Sequence, residues 1–147
     1  MLHVLRLRDF ALAADLELEF GEGLNVLSGE TGAGKSIILQ GLNLLAGARA
    51  ASGVVRTGAR RAAVEAVYSI PPGGETARYL VEQGLDSSDP GELVLRREIA
   101  AAGRSRAWIN GRAAAATQLA EVGRRCIEID GQHAQVALLD PVRQTAL

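Results

Sequence analysis

Residues 29–36 read Gly29-Glu30-Thr31-Gly32-Ala33-Gly34-Lys35-Ser36 and match the phosphate-binding loop pattern G-x-x-x-x-G-K-[ST] at every defined position. The flanks narrow the fold further. Gly23-Leu24-Asn25-Val26-Leu27-Ser28 predicts a short buried strand running into the loop. Ile37, Ile38, Leu39, Leu42, Leu44 and Leu45 predict an apolar helix that stops near Gly47. Strand, glycine-rich turn and helix is the context in which the motif carries meaning. Lys35 is also the only lysine among 147 residues, against fifteen arginines. A compact ammonium on a flexible stem fits beneath a row of phosphates where a planar guanidinium fork does not.

The chemistry follows from the residue types. Glycines let successive backbone N–H groups turn inward as an anion nest. The first turn of the following helix adds unpaired N–H groups and the positive end of its dipole. Lys35 is expected to reach the β- and γ-phosphate oxygens of a nucleoside triphosphate, and the Ser36 hydroxyl to hold Mg²⁺.

A length of 147 residues fits one domain. Apolar residues make up 48% and aromatics 3%, so the core must be built from Leu, Val, Ile and Ala. The net charge of −1 gives no global pull toward nucleic acid or membrane. Local contacts remain open at Arg60-Arg61, Arg96-Arg97, Arg104 with Arg106, and Arg124-Arg125, although solvated surface arginines explain any single pair as well. The single cysteine, Cys126, excludes an internal disulfide and suits a reducing compartment; beside Ile127 it reads as a buried structural thiol. No signal peptide and no membrane-spanning apolar run is expected, which points to the cytoplasm.

Residues 2–8 read as a strand, and residues 15–20 alternate acidic and apolar, so that an antiparallel layer is expected beside a parallel core. Residues 48–61 read as a loop, 63–70 as a strand, and 75–83 as a short helix closing on Gly84. Residues 93–99 and 104–109 predict a hairpin around Ala100-Ala101-Ala102-Gly103, with Asn110-Gly111 turning the chain again. Thr117 is expected to cap a short helix ending near Gly123, residues 125–130 to form a strand, and the chain to be helical again to Leu139. The fold class is α/β, a P-loop NTPase lobe with a mixed core sheet and an antiparallel β subdomain.

A self-sufficient NTPase also needs a strand of apolar residues ending in Asp to anchor Mg²⁺ and polarise water. The nearest candidate, Cys126-Ile127-Glu128-Ile129-Asp130, is interrupted by Glu128. Leu27-Ser28-Gly29-Glu30 has the look of an ABC-type signature but overlaps the phosphate loop. The front half of a nucleotide site is therefore present without its back half. Two other readings stay open: a small-molecule kinase with Asp130 as metal anchor and an acceptor near Arg96 and Arg97, and a non-enzymatic module that uses nucleotide as a switch.

Three segments carry a family likeness: residues 24–36 around the phosphate loop, Gly103-Arg104-Ser105-Arg106-Ala107-Trp108-Ile109-Asn110-Gly111-Arg112, and Ile129-Asp130-Gly131-Gln132-His133. Together they resemble the N-terminal head segment of the RecN family, bacterial DNA-repair ATPases of the SMC-like, ABC ATPase class. The resemblance implies that residues 1–147 form the N-terminal lobe of a split head, with the coiled coil and C-terminal lobe lying outside this chain. It implies ATP and Mg²⁺ as cofactors, and Gln132 as a glutamine-loop residue contacting Mg²⁺ and the attacking water, beside Lys35 in catalysis. It further implies three partners: the C-terminal segment of the same head, a second head across sandwiched ATP, and double-stranded DNA near breaks. On that reading the protein is cytoplasmic and nucleoid-associated, with no membrane partner. His133 is expected to be a solvated loop residue.

Overall fold

The computed structural model describes residues 1–20, 32–50 and 52–139, with side chains described except at 32–35, 52 and 128–139. The expected strand at 23–28 and the loop residues Gly29, Glu30 and Thr31 lie outside the described residues. The described sheet has six strands: β1 Leu2–Phe10, β2 Ala13–Glu19, β3 Arg61–Ser69, β4 Glu92–Ala100, β5 Ser105–Ile109 and β6 Arg112–Ala114. Its order is β2-β1-β3-β4-β5-β6, and every pairing is antiparallel. Helices are α1 Gly32–Leu45, α2 Glu75–Glu82 and α3 Ala116–Leu139, with a short 3-10 turn at Ser52–Val54.

The two faces of the sheet differ because the side-chain period of a strand is two. Leu5 and Leu7 of β1, Val64 and Ala66 of β3, Leu93, Leu95 and Ile99 of β4, and Ile109 of β5 are all buried on one face. Helices α1 and α3 pack on that face, against β3, β4 and β5. The other face is polar, and its charges alternate from strand to strand. Register places Glu17, Arg6, Glu65, Arg96 and Trp108 in one row across β2, β1, β3, β4 and β5. Arg6 lies 3.3 Å from Glu17 and 2.7 Å from Glu65, while Arg96 binds Glu98 at 2.7 Å and sits 5.9 Å from the Trp108 ring centre. Opposite charges in neighbouring strands fix the register, and their partial exposure keeps each pair's contribution small.

The turns use the residues their geometry demands. Asn110 (φ 52°) and Gly111 (φ 80°) both lie in the left-handed region, the pairing a tight type I′ hairpin needs. Asn110 adds tertiary bonds: its Oδ1 accepts from the Val94 N–H at 2.9 Å, and its Nδ2 donates to the Leu85 carbonyl at 2.8 Å.

The C-terminal third departs from expectation. The expected break at Gly123 and the strand at 125–130 are replaced by one helix, α3. Leu119, Val122, Cys126 and Ile127 are buried, spaced i, i+3, i+7 and i+8. That is a helical stripe, and it overrides the two-residue alternation of Ile127 and Ile129. Thr117 is not the cap. Gln118, at the third helical position, reaches back so that its Oε1 accepts the Ala115 N–H at 2.9 Å, half of a capping box. Cys126 is buried, as its apolar surroundings led us to expect.

Candidate nucleotide site

The site is organised by α1. Its apolar stripe, Ile38, Leu42 and Leu45, faces the sheet. Gly41 lets the helix axis come close: a Cβ there would stand 2.9 Å from Leu7 Cδ2 and 3.3 Å from Val64 Cγ2. At its first turn, backbone N–H groups of Gly32, Ala33, Gly34 and Lys35 have no acceptor within the helix, as at every helix start. That turn holds no acidic residue, so nothing within the helix opposes an anion. The Ser36 side chain lies on the exposed surface. Glycine at two of the first three helical positions, with a following lysine and serine, fits a polyphosphate bearing Mg²⁺.

The other end of α1 is closed tightly. The Ala48 N–H bonds to the Asn43 carbonyl at 2.9 Å and the Gly47 N–H to the Leu44 carbonyl at 3.2 Å, a Schellman closure with Gly47 at φ 99°. Helix α3 crosses here at very short range. A Cβ on Gly123 would lie 1.9 Å from the Leu45 carbonyl oxygen, and one on Gly47 would lie 2.4 Å from Ala120 Cβ. Arg97 completes the closure from β4. Its Nη1 donates to the Leu44 carbonyl at 2.7 Å and the Ala48 carbonyl at 2.5 Å, and its Nε to Ser105 Oγ at 2.9 Å. Burial pushes the Arg97 pKa downward.

The expected site residues divide into three groups. Gly29, Glu30 and Thr31 lie outside the described residues; Gly32 to Ser36 form the first turn of α1; Gln132 lies on α3. Gln132 comes nine residues after the Gly123 crossing, or about 14 Å along the axis at 1.5 Å per residue. Its side chain, like those of Asp130 and His133, is outside the described ones, and His133 stands on a helix where a loop was expected. Asp130 is on the same helix, so no metal-anchoring strand ends there. Arg96 and Arg97 cannot form a shared acceptor pocket: Arg96 is held by Glu65 and Glu98 on the polar face, while Arg97 is buried on the opposite one. The small-molecule kinase reading loses both of its supports. Among the described residues, no cluster of three or more His, Cys, Asp or Glu side chains could hold a metal.

The fold also gathers arginines that are distant in sequence. The Arg60 carbonyl accepts from the Ala101 N–H at 2.8 Å, the Arg104 carbonyl accepts from the Ala100 N–H at 2.7 Å, and Arg61 pairs in register with Ala100. Arg60, Arg61, Arg104 and Arg106 therefore share one end of the sheet, all exposed. Among the described residues, only Arg61 of the four has a carboxylate contact, to Glu98 at 3.5 Å.

These features fit a P-loop fold, and the comparisons agree with that fold. The AAA domain family matches residues 4–133, and the chain belongs to that family. The curated relatives it is similar to are RecN proteins. It is 45% identical over 147 residues to the DNA repair protein RecN of Xylella fastidiosa (strain 9a5c), covering 100% of this chain and 26% of the relative. It is 39% identical over 140 residues to RecN of Bacillus subtilis (strain 168), covering 95% of this chain and 24% of that protein. The chain thus spans about a quarter of the length of the curated relatives it matches. A solved chain from work on ATP-driven dimerization and DNA-stimulated activation of SMC ATPases superposes with a TM-score of 0.64 at 23% identity, over 82% of this chain and 76% of that one. That likeness shows the fold alone, the α/β fold of that SMC ATPase chain. The RecN resemblance read from the three sequence segments is borne out.

Proposed function

We propose that the chain is the ATP-binding N-terminal lobe of a RecN-type DNA-repair ATPase, in which ATP-driven closure of two heads and hydrolysis control DNA binding. The observation that carries this reading is the phosphate-loop sequence ending in the acid-free first turn of α1, in a chain 45% identical to RecN over its whole length. Residues Gly29 to Ser36 cradle the phosphates, Lys35 neutralises the β- and γ-phosphate oxygens, and Ser36 and Gln132 serve Mg²⁺. Mg²⁺ held by Ser36 and Gln132 would supply charge that offsets the phosphates. Gln132 orients the attacking water.

Turnover needs groups this chain does not supply. A signature segment and a carboxylate strand belong to the C-terminal part of the head in this reading, so residues 1–147 alone bind ATP and hydrolyse it very slowly. Contacts made to the γ-phosphate and lost in ADP bias head closure. Duplex DNA is the polyanion met by the arginine end of the sheet, Arg60, Arg61, Arg104 and Arg106, where few carboxylates compete. The reading places the protein in the cytoplasm, associated with the nucleoid. No helix among the described residues is long and apolar enough to cross a membrane.

The test is equilibrium binding of a fluorescent ATP analogue to the chain and to Lys35→Ala, with turnover measured before and after adding the C-terminal head segment. The expected result is binding lost in the variant, negligible turnover alone, and turnover restored by the added segment. Binding that survives Lys35→Ala unchanged, or brisk turnover by the chain alone, contradicts the reading.

A further inference from the structure

Arg97 is the one buried charged side chain among the described residues, 7% exposed. It lies on β4 between Leu95 and Ile99, in alternation with them, so the strand delivers a guanidinium to the apolar face. Among the described residues, its hydrogen-bond partners include no carboxylate; they are the carbonyls of Leu44 and Ala48 and the Ser105 hydroxyl. A cation taken out of water must find compensation, and here the compensation is the negative end of α1. That helix carries no basic residue in its own last turn. The cation that would normally cap it from within is supplied from the sheet.

We infer that Arg97 is a positioning residue for the phosphate site, holding the last turn of α1 so that its first turn stands in the geometry an anion requires. The inference rests on the nucleotide reading given above. An α-helix is stiff, and α1 is packed onto Leu7 and Val64 at Gly41. From Gly41 to Leu45 is four residues and from Gly32 to Gly41 nine, about 6 and 14 Å at 1.5 Å per residue. With Gly41 as fulcrum, a shift of about 0.5 Å at the Arg97 end becomes about 1 Å at the first turn, a displacement of the size that weakens positioned chemistry by up to about 100-fold.

The experiment compares Arg97→Lys, Arg97→Met and Ser105→Ala with the wild-type chain. Affinity for a fluorescent ATP analogue is measured well below each melting point, and amide hydrogen exchange is followed at residues 36–40 of α1 and at Leu95 of β4. Folded Arg97→Met is expected to bind ATP about 10-fold more weakly, with Arg97→Lys restoring most of the loss and Ser105→Ala losing about 3-fold or less. Exchange at 36–40 is expected to rise in Arg97→Met and to return most of the way to the wild-type rate in Arg97→Lys, while Leu95 stays protected, an arm that needs no nucleotide and survives if the chain proves not to bind ATP. Should Arg97→Met not fold, Arg97→Gln, which removes the charge but keeps a hydrogen-bond donor, carries the same comparison. A lower melting point with unchanged ATP affinity and uniform exchange would make Arg97 a packing residue only and overturn the inference.

Discussion

Replacing Gly123 by alanine should weaken the fold, although alanine is the better helix former. A Cβ at this position would stand 1.9 Å from the Leu45 carbonyl oxygen and 3.0 Å from the Ala46 Cα. A comfortable carbon–oxygen approach is about 3.3 Å, so α3 must withdraw by about 1.4 Å. Both obstructing groups are backbone at the closed end of α1, where no side chain can swing aside. A gap of that size forfeits a large share of the dispersion contacts of Leu119, Val122 and Cys126, all buried beside it. Overpacking of this kind costs about 3 kcal/mol at the upper end of the usual range. The gain in helix propensity returns about 1 kcal/mol. The net loss of about 2 kcal/mol corresponds to a melting point lower by about 4–8 °C for a chain of this size. Thermal and urea unfolding of the variant, with Gly53→Ala as control, measure it; nothing lies within 4 Å of a Cβ at Gly53. A Gly123→Ala variant more stable than wild type by about 1 kcal/mol, the value propensity alone gives, would refute the close crossing of α1 and α3.

Other outcomes follow from the same contacts. Leu95→Ala, at a fully buried site in the sheet's centre, should cost about 2–5 kcal/mol in urea unfolding with an unchanged slope. Asn110→Ala should cost about 2 kcal/mol, because the left-handed backbone and two tertiary hydrogen bonds both depend on the asparagine; Asn110→Gly, which keeps the turn, should cost less. For duplex DNA, neutralising Arg104 and Arg106 together should flatten the dependence of log affinity on log salt by about 2, read by fluorescence anisotropy across a salt series. An unchanged slope would remove that end of the sheet from the DNA interface.

Much of the architecture was legible where one periodicity dominated. The alternation of residues 15–20 and the paired runs on either side of Gly103 became β2 and the β4–β5 hairpin because each buries one face only. The helix after the phosphate loop ended where Gly47 said it would. Residues 125–130 misled because Ile127 and Ile129 alternate locally, and the longer stripe from Leu119 to Ile127 becomes visible only over more than two turns. Gly123 looked like a stop and is instead a contact, since a glycine in a helix marks close approach as readily as an end. Arg97 was hidden for a related reason. Its position in register with Leu93, Leu95 and Ile99 was the available signal, but a charge on an apolar face needs a known partner before it can be read. That partner is a helix terminus more than forty residues earlier in the chain.

A triphosphate seated at the first turn of α1 would perturb the backbone amides around it. The direct measurement is a titration of the isotopically labelled chain with ATP and Mg²⁺, following backbone amide resonances. Large shifts are expected, confined to residues 29–36 and their immediate neighbours and absent in Lys35→Ala. Shifts centred elsewhere on the fold, or none at millimolar ATP, would contradict that seating.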